Sequence, residues 1–278
     1  MIDEASLNAW KYVAPWLEKE YIEQDLIISR ALVDIFNHET LAKMLVFRGG
    51  TALQKLFYSK NPTRYSEDID LVQIKAGPIG SIFDGLKEAL EPWLGKPKKK
   101  IGEGRITLIY RLQPNVLGNV GIKLKVEINT REHFSAFDVV CVPFEVDSPW
   151  YTGKTNIVTY CLEELLGTKT RALYQRKKGR DLYDLAIAIR LLPIDIDKVL
   201  VCFNKYMEFM GLKISRAEFE KNLLQKKSMD SFREDILSLL AIGNTQHDFE
   251  QDLTLVMEKL IAKLPGESWK GEPTETKN

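Results

Sequence analysis

Two adjacent glycines, Gly49 and Gly50, precede an apolar-periodic segment (Ala52, Leu53, Leu56, Phe57), a polar turn with Asn61 and Pro62, and the alternation Asp68, Ile69, Asp70, Leu71. This stretch constrains the chain more than any other. Glycines at a helix start leave backbone N–H groups bare of side chains, which suits phosphate oxygens. In a strand, residues i and i+2 point the same way about 7 Å apart. Ile69 and Leu71 are therefore expected in a core, with Asp68 and Asp70 together on the opposite face. Two carboxylates held so close repel unless a cation lies between them, and a divalent metal is the natural neutraliser.

The segments FRGGTAL, RYSEDIDL and KTRALYQRKKGRDLYDL, in this order, resemble the AbiEii/AbiGii toxin family of type IV toxin–antitoxin systems, within the nucleotidyltransferase (polymerase-β-like) superfamily. The resemblance runs from about residue 45 to residue 190. It implies an α+β fold: a nucleotidyltransferase-type mixed sheet with flanking helices, followed by an all-helical C-terminal domain. It also implies transfer of a nucleoside monophosphate from an NTP with Mg²⁺, an acceptor that in some relatives is the 3′ end of tRNA, and a separately encoded antitoxin.

Bulk properties agree with a globular chain and bound its partners. At 278 residues the chain has room for one large or two small domains, and 45% hydrophobic residues can supply a core. Lys+Arg and Asp+Glu each number 39, so there is no overall basic field and any RNA contact must come from local patches. Cys141, Cys161 and Cys202 are scattered and odd in number, which reads as reduced thiols, and no Cys/His cluster suggests zinc. The start MIDEASLNAW lacks the regions of a signal peptide, and no apolar run approaches ~18 residues. A soluble cytoplasmic protein without a membrane span is expected.

Residues 5–46 read as helical, with Leu26, Ile27, Ala31, Leu32, Ile35 and Phe36 forming a stripe. Ile82 to Trp93 suggest another helix. GKPKKKIGEGR then reads as a loop, with Lys96, Lys98, Lys99 and Lys100 either solvated or tracking RNA phosphates. Residues 104–130 read as a strand pair about a turn with Pro114, Asn115 and Gly118. In the second strand Ile122, Leu124, Val126 and Ile128 alternate with Lys123, Lys125, Glu127 and Asn129. Short strands are expected over 131–160. Helices follow at 161–176, 180–191, 195–210, 215–227, 230–242 and 246–263. The expected domains are 1–160 and 161–264, with 265–278 a disordered tail.

The candidate metal ligands are Asp68, Asp70 and Glu127. Glu127 is matched by resemblance to the superfamily's third acid, which can also help deprotonate the attacking hydroxyl. Otherwise it pairs with Lys123 or Lys125, and Glu103 is an alternative third acid. Gly49, Gly50 and Thr51 are expected to hold the triphosphate, with Thr51 donating its hydroxyl or capping the helix. Arg48 either stays in the core or reaches a phosphate, and Arg64 anchors the turn by pairing with a carboxylate. Ser66, read on the face of Asp68, contacts a phosphate or holds the turn; phosphorylated, it would repel both Asp68 and the nucleotide. Lys169 and Arg176 share a helix face, and the resemblance assigns such a lysine to nucleotide binding. Arg176, Lys177, Lys178 and Arg180 form a candidate RNA track. Asp181 suits a helix start; Asp184, one turn on, is read as orienting Lys169 or an active-site arginine rather than binding metal. The competing readings are a small-molecule acceptor such as an antibiotic, and a non-catalytic binding module.

Overall fold

In the computed structural model the described residues are 2–58, 61–112, 121–244 and 247–271. The chain divides into two units, residues 1–162 with 239–244, and residues 163–238 with 245–278.

The first unit is built on a mixed sheet of seven strands: β1 (Leu45–Arg48), β2 (Asp68–Gln73), β3 (Lys98–Gly102), β4 (Arg105–Leu112), β5 (Ile122–Asn129), β6 (Val140–Asp147) and β7 (Thr152–Thr159), in the order β3-β4-β5-β2-β1-β7-β6. The β2–β5 and β1–β7 pairings are parallel and the others antiparallel. Alternation places Ile69 and Leu71 of β2 beside Leu124, Val126 and Ile128 of β5, all at most 1% exposed. Each such side chain removed from water contributes roughly 1.5–3 kcal/mol.

Helices α1 (Glu4–Trp10), α2 (Lys19–Asn37) and α3 (Glu39–Met44) precede the sheet. The apolar period over 5–46 is thus three helices rather than one. The first break falls at residues 11–18, where Pro15 cannot continue a helix. α4 (Gly49–Ala52) runs directly into a π-helical turn, Leu53–Phe57, and α5 (Gly80–Leu94) connects β2 to β3. The lysine segment forms strand β3 of a hairpin with β4, not a loop. The expected turn at Pro114, Asn115 and Gly118 lies outside the described residues.

The second unit is helical: α6 (Leu162–Gln175), α7 (Gly179–Leu191), α8 (Ile196–Phe209), α9 (Arg216–Lys227), α10 (Asp230–Arg233) and α11 (Phe249–Lys259). The helix expected over 230–242 is only the short α10 and a 3-10 turn at Leu237–Leu239. Its following residues, 239–244, belong to the first unit, where Tyr65 N–H donates to Leu239 O and Ala241 N–H to Thr63 O. Beyond α11, Trp269 N–H donates to Glu220, so the chain there packs along α9. Residues 272–278 of the expected tail lie outside the described residues.

Candidate active site

β2 presents Asp68 and Asp70 because the apolar residues between them are buried. The parallel ladder sets Asp70 opposite Glu127 and Asp68 opposite Lys125, so all four side chains share one face. Glu103 stands apart in the β3–β4 turn, where it meets Arg131 at 3.7 Å. The ladder is held where it begins: Gln24 of α2 donates to Glu67 O and Lys123 O, both at 3.0 Å. Lys125 Nζ lies 2.6 Å from Glu127 Oε1 and 3.2 Å from Asp68 Oδ2. Burial pushes the Asp68 carboxyl up to about 6; Asp70 and Glu67 add to the rise against the pull of Lys125. Burial opposes the charge of Lys125, but Glu127 and Asp68 outweigh it and raise its pKa.

The glycine corner adjoins these acids. Gly49 has φ +84°, and a Cβ there would stand 2.2 Å from Asp70 Oδ2. At Gly50 a Cβ would stand 2.5 Å from Arg64 Nη2 and 3.0 Å from Ser66 Oγ. The Thr51 hydroxyl donates to Asp68 O at 2.5 Å and lies 2.9 Å from Ser66 Oγ, fastening α4 to the start of β2. That strand begins at Asp68, so Ser66 stands in the loop before it. Arg48 pairs with Glu132. Arg64, 2% exposed, donates to Tyr65 O at 2.8 Å. A cavity of about 240 Å³ opens beside this corner, with Thr51, Ser66, Arg64, Gln54, Lys55 and Trp16 in its wall.

The site's chemistry is that of crowded carboxylates with one ammonium wedged among them. Carboxylate oxygens suit a hard cation such as Mg²⁺. The upward shift of Asp68 comes first from its burial, which the attraction of Lys125 does not overcome. Among the described residues no group of three acids, cysteines or histidines closes around a single point.

In the second unit Lys169 and Asp181 are buried. Lys169 Nζ meets Asp181 Oδ1 at 3.1 Å and Asp184 Oδ2 at 2.8 Å. Arg176 grips Asp181 through two nitrogens, at 2.5 and 2.7 Å. Burial alone would raise the Asp181 pKa, but Lys169 and Arg176 bring it below the ordinary aspartate value. Asp181 is therefore a binding partner of two cations, beyond the helix-start role its position suggests. Asp184 touches Lys169 as expected. The basic run is largely committed within the chain: Arg176 to Asp181, and Lys178 and Arg180 to Asp235 at 3.1 and 3.8 Å.

Sequence reasoning misses Lys125 as the occupant of the space among the acids, and it misses Gln24. A pairing of Glu127 with Lys125 is the alternative to a ligand role for Glu127; the structure brings Glu127 against both Asp70's strand and Lys125. No signal near Gln24 marks it, because its two acceptors are 43 and 99 residues away.

The chain resembles two solved structures over most of its length. One is a candidate nucleotidyltransferase from H. pylori, with TM-score 0.52, 20% identity, and coverage of 89% of this chain and 96% of the other. The second is MenT4, a nucleotidyltransferase toxin from Mycobacterium tuberculosis, with TM-score 0.58, 16% identity, and coverage of 92% and 99%. At these identities the likeness speaks for the fold. No curated protein matches the chain in sequence. The model of the AbiEii family, described as the nucleotidyl transferase toxin of type IV toxin–antitoxin systems, matches residues 30–255. The chain belongs to this AbiEii nucleotidyltransferase toxin family.

Proposed function

We propose that this nucleotidyltransferase toxin transfers a nucleoside monophosphate from an NTP to an RNA acceptor, such as the 3′ end of a tRNA, with Mg²⁺, and is restrained by a cognate antitoxin. The observation that carries the reading is the register of Asp70 with Glu127 beside Gly49, where a Cβ would strike Asp70 Oδ2. There two residues without side chains of their own lie against acids from two neighbouring strands.

Asp68, Asp70 and Glu127 would hold Mg²⁺ once Lys125 withdraws. A divalent ion held by these carboxylates would supply charge stabilisation for the phosphoryl transfer and would lower the pKa of the attacking hydroxyl. The acceptor oxygen forms a bond to the α-phosphorus while the bond to the β-phosphate oxygen breaks, and pyrophosphate leaves. Glu127 takes up the hydroxyl proton, while Gly49 and Gly50, having no side chains of their own, offer their backbone to the phosphates.

The reading is tested by incubating the full chain with each labelled NTP, Mg²⁺ and total RNA, with Asp70→Ala as control. Label on RNA that is lost in Asp70→Ala is the expected result. Label appearing instead on small molecules overturns the RNA acceptor, and no Mg²⁺-dependent NTP binding by calorimetry overturns the catalytic reading.

A further inference from the structure

The sheet face that carries the acids also carries a band of cations reaching its open edge. Paired residues of neighbouring strands project to the same side. One register row runs Asp70, Glu127, Thr107, Lys100; the next runs Asp68, Lys125, Ile109, Lys98. Arg111 and Lys123 face each other further along β4 and β5 with the same parity. Lys99 confirms the alternation, since its ammonium lies 4.5 Å from the Phe83 ring of α5 on the other side of the sheet. At about 4.8 Å per strand, Lys100 stands three strands, or roughly 14 Å, from Asp70.

What sets these cations apart is their grouping on one sheet face. Lys98, Lys100, Arg111 and Lys123 are exposed, and among the described residues none has a carboxylate partner. Arg105 and Lys125, nearer the acids, do have one. Edge lysines commonly protect a sheet from pairing with other chains. That purpose accounts for Lys98 and Lys100 on the edge strand, but not for Arg111 and Lys123 on interior strands.

We infer that this face of β3, β4 and β5 is the bed of the RNA acceptor, with backbone phosphates on Lys98, Lys100, Arg111 and Lys123 and the reactive end lying toward Asp70 and Glu127. The inference rests on the RNA reading above and adds where the acceptor lies. Residues i and i+2 of a strand stand about 7 Å apart, a spacing comparable to successive phosphates of a nucleic-acid strand. Between the cations lie the buried Thr107 and the half-buried Ile109, and among the described residues of this face there is no aromatic anchor of the kind that centres a protein interface. A polycationic small molecule would be repelled.

The test measures binding of a labelled tRNA transcript and a labelled single-stranded oligoribonucleotide to the full chain without NTP, across a salt series. Wild type is compared with Lys98→Glu/Lys100→Glu, with Arg111→Glu/Lys123→Glu, and with Lys87→Glu as a control on α5. Each double variant is expected to weaken RNA binding at least tenfold and to reduce the slope of log affinity against log salt by about 1.5, at roughly 0.7–0.9 for each phosphate no longer neutralised. NTP binding, thermal stability and the control are expected to stay at wild-type values. If wild type binds RNA and both double variants match it, the bed is wrong and the RNA reading stands. If wild type binds neither RNA, both fall together. Loss of binding to a co-expressed antitoxin with RNA affinity intact overturns the inference in favour of a protein partner.

Discussion

The Lys125 ammonium lies 2.6 Å from the Glu127 carboxylate, two residues along the same strand and facing the same way. It also reaches Asp68 on the neighbouring strand, at 3.2 Å. A single positive charge thus occupies the ground on which a divalent ion would be attracted. Lys125→Met removes that competitor while keeping the length of the side chain. Mn²⁺ binding, followed by calorimetry or by the loss of its free paramagnetic signal, is expected to tighten by about tenfold, equivalent to 1.4 kcal/mol. The metal-free protein is expected to lose roughly 1 kcal/mol, the upper end for a partly exposed pair. Unchanged Mn²⁺ affinity would remove Lys125 from the account.

Asp68 makes the opposite prediction for stability. Its folded-state pKa, about 6, stands above the ordinary 3.8. The folded chain therefore binds more protons than the unfolded chain between those values. The stability this group contributes is complete below pH 4 and is lost as pH rises through 6. Asp68→Asn cannot ionise and is expected to flatten that slope. At neutral pH the metal-free variant gains at most ~3 kcal/mol over wild type, a ceiling set by a shift that already includes the attraction to Lys125 and is lowered by solvent screening. Nucleotidyl transfer should vanish in the same variant. Denaturant melts at pH 4.5 and 7.5 without metal check the sign, and an equal or larger pH dependence in the variant refutes it.

How much of this is legible in the sequence depends on the range of the interaction. The alternation about Ile69 and Leu71 specifies β2 locally, because burial on one face is written in successive residues. The pairing of Asp70 with Glu127 is not local. Parallel strands so far apart in the chain take their register from packing and from ties such as Gln24. Strand β3 reads as a solvated lysine run because all five residues are exposed; only its ladder with β4 makes it a strand. Asp181 at a helix start satisfies a local rule so well that its burial between Arg176 and Lys169 has no sequence signal.

Gly49 and Gly50 are adjacent, yet substitutions there should differ. At Gly49 both the backbone and the space are hostile. A φ of +84° costs a non-glycine residue about 1–2 kcal/mol, and the new Cβ meets Asp70 Oδ2 at 2.2 Å. Gly49→Ala should therefore displace a site carboxylate and lower kcat/KM by at least a hundredfold, with a lower Tm. At Gly50 the closest atom is the end of a long side chain, Arg64 Nη2 at 2.5 Å. Gly50→Ala should fold with near wild-type Tm and lose activity through KM for the NTP. Equal Tm losses would show that the corner is constrained only by packing.

Within the helical unit, Asp181 and Asp184 both hold Lys169, but they are not equivalent. Asp181 is fully buried and is the shared partner of Lys169 and Arg176. Asp181→Asn leaves two cations facing a neutral amide and should cost about 3–5 kcal/mol. Asp184→Asn leaves Lys169 its bond to Asp181, so a smaller loss of about 1–2 kcal/mol is expected. Urea denaturation of both variants measures the difference, and the reverse order would assign Lys169 chiefly to Asp184.

Gln24 offers the sharpest separation of geometry from charge, since it is neutral and touches no site carboxylate. Its amide nitrogen donates to Glu67 O and Lys123 O, each immediately or nearly before an ionisable site residue on β2 and β5. Gln24→Ala removes the tie that sets the two strands level where they begin. Two lost hydrogen bonds at a partly exposed position cost about 1–2 kcal/mol. If strand alignment matters to the chemistry, kcat should fall about tenfold, as expected when groups acting together shift by less than an ångström. KM for the NTP should barely move, because the glycine corner is untouched. Gln24→Glu, isosteric but unable to donate, should behave like Gln24→Ala and not like wild type. A variant that loses stability in full while kcat holds would mean that β2 and β5 keep their register without the tie, through Ile69, Leu71, Val126 and Ile128 alone.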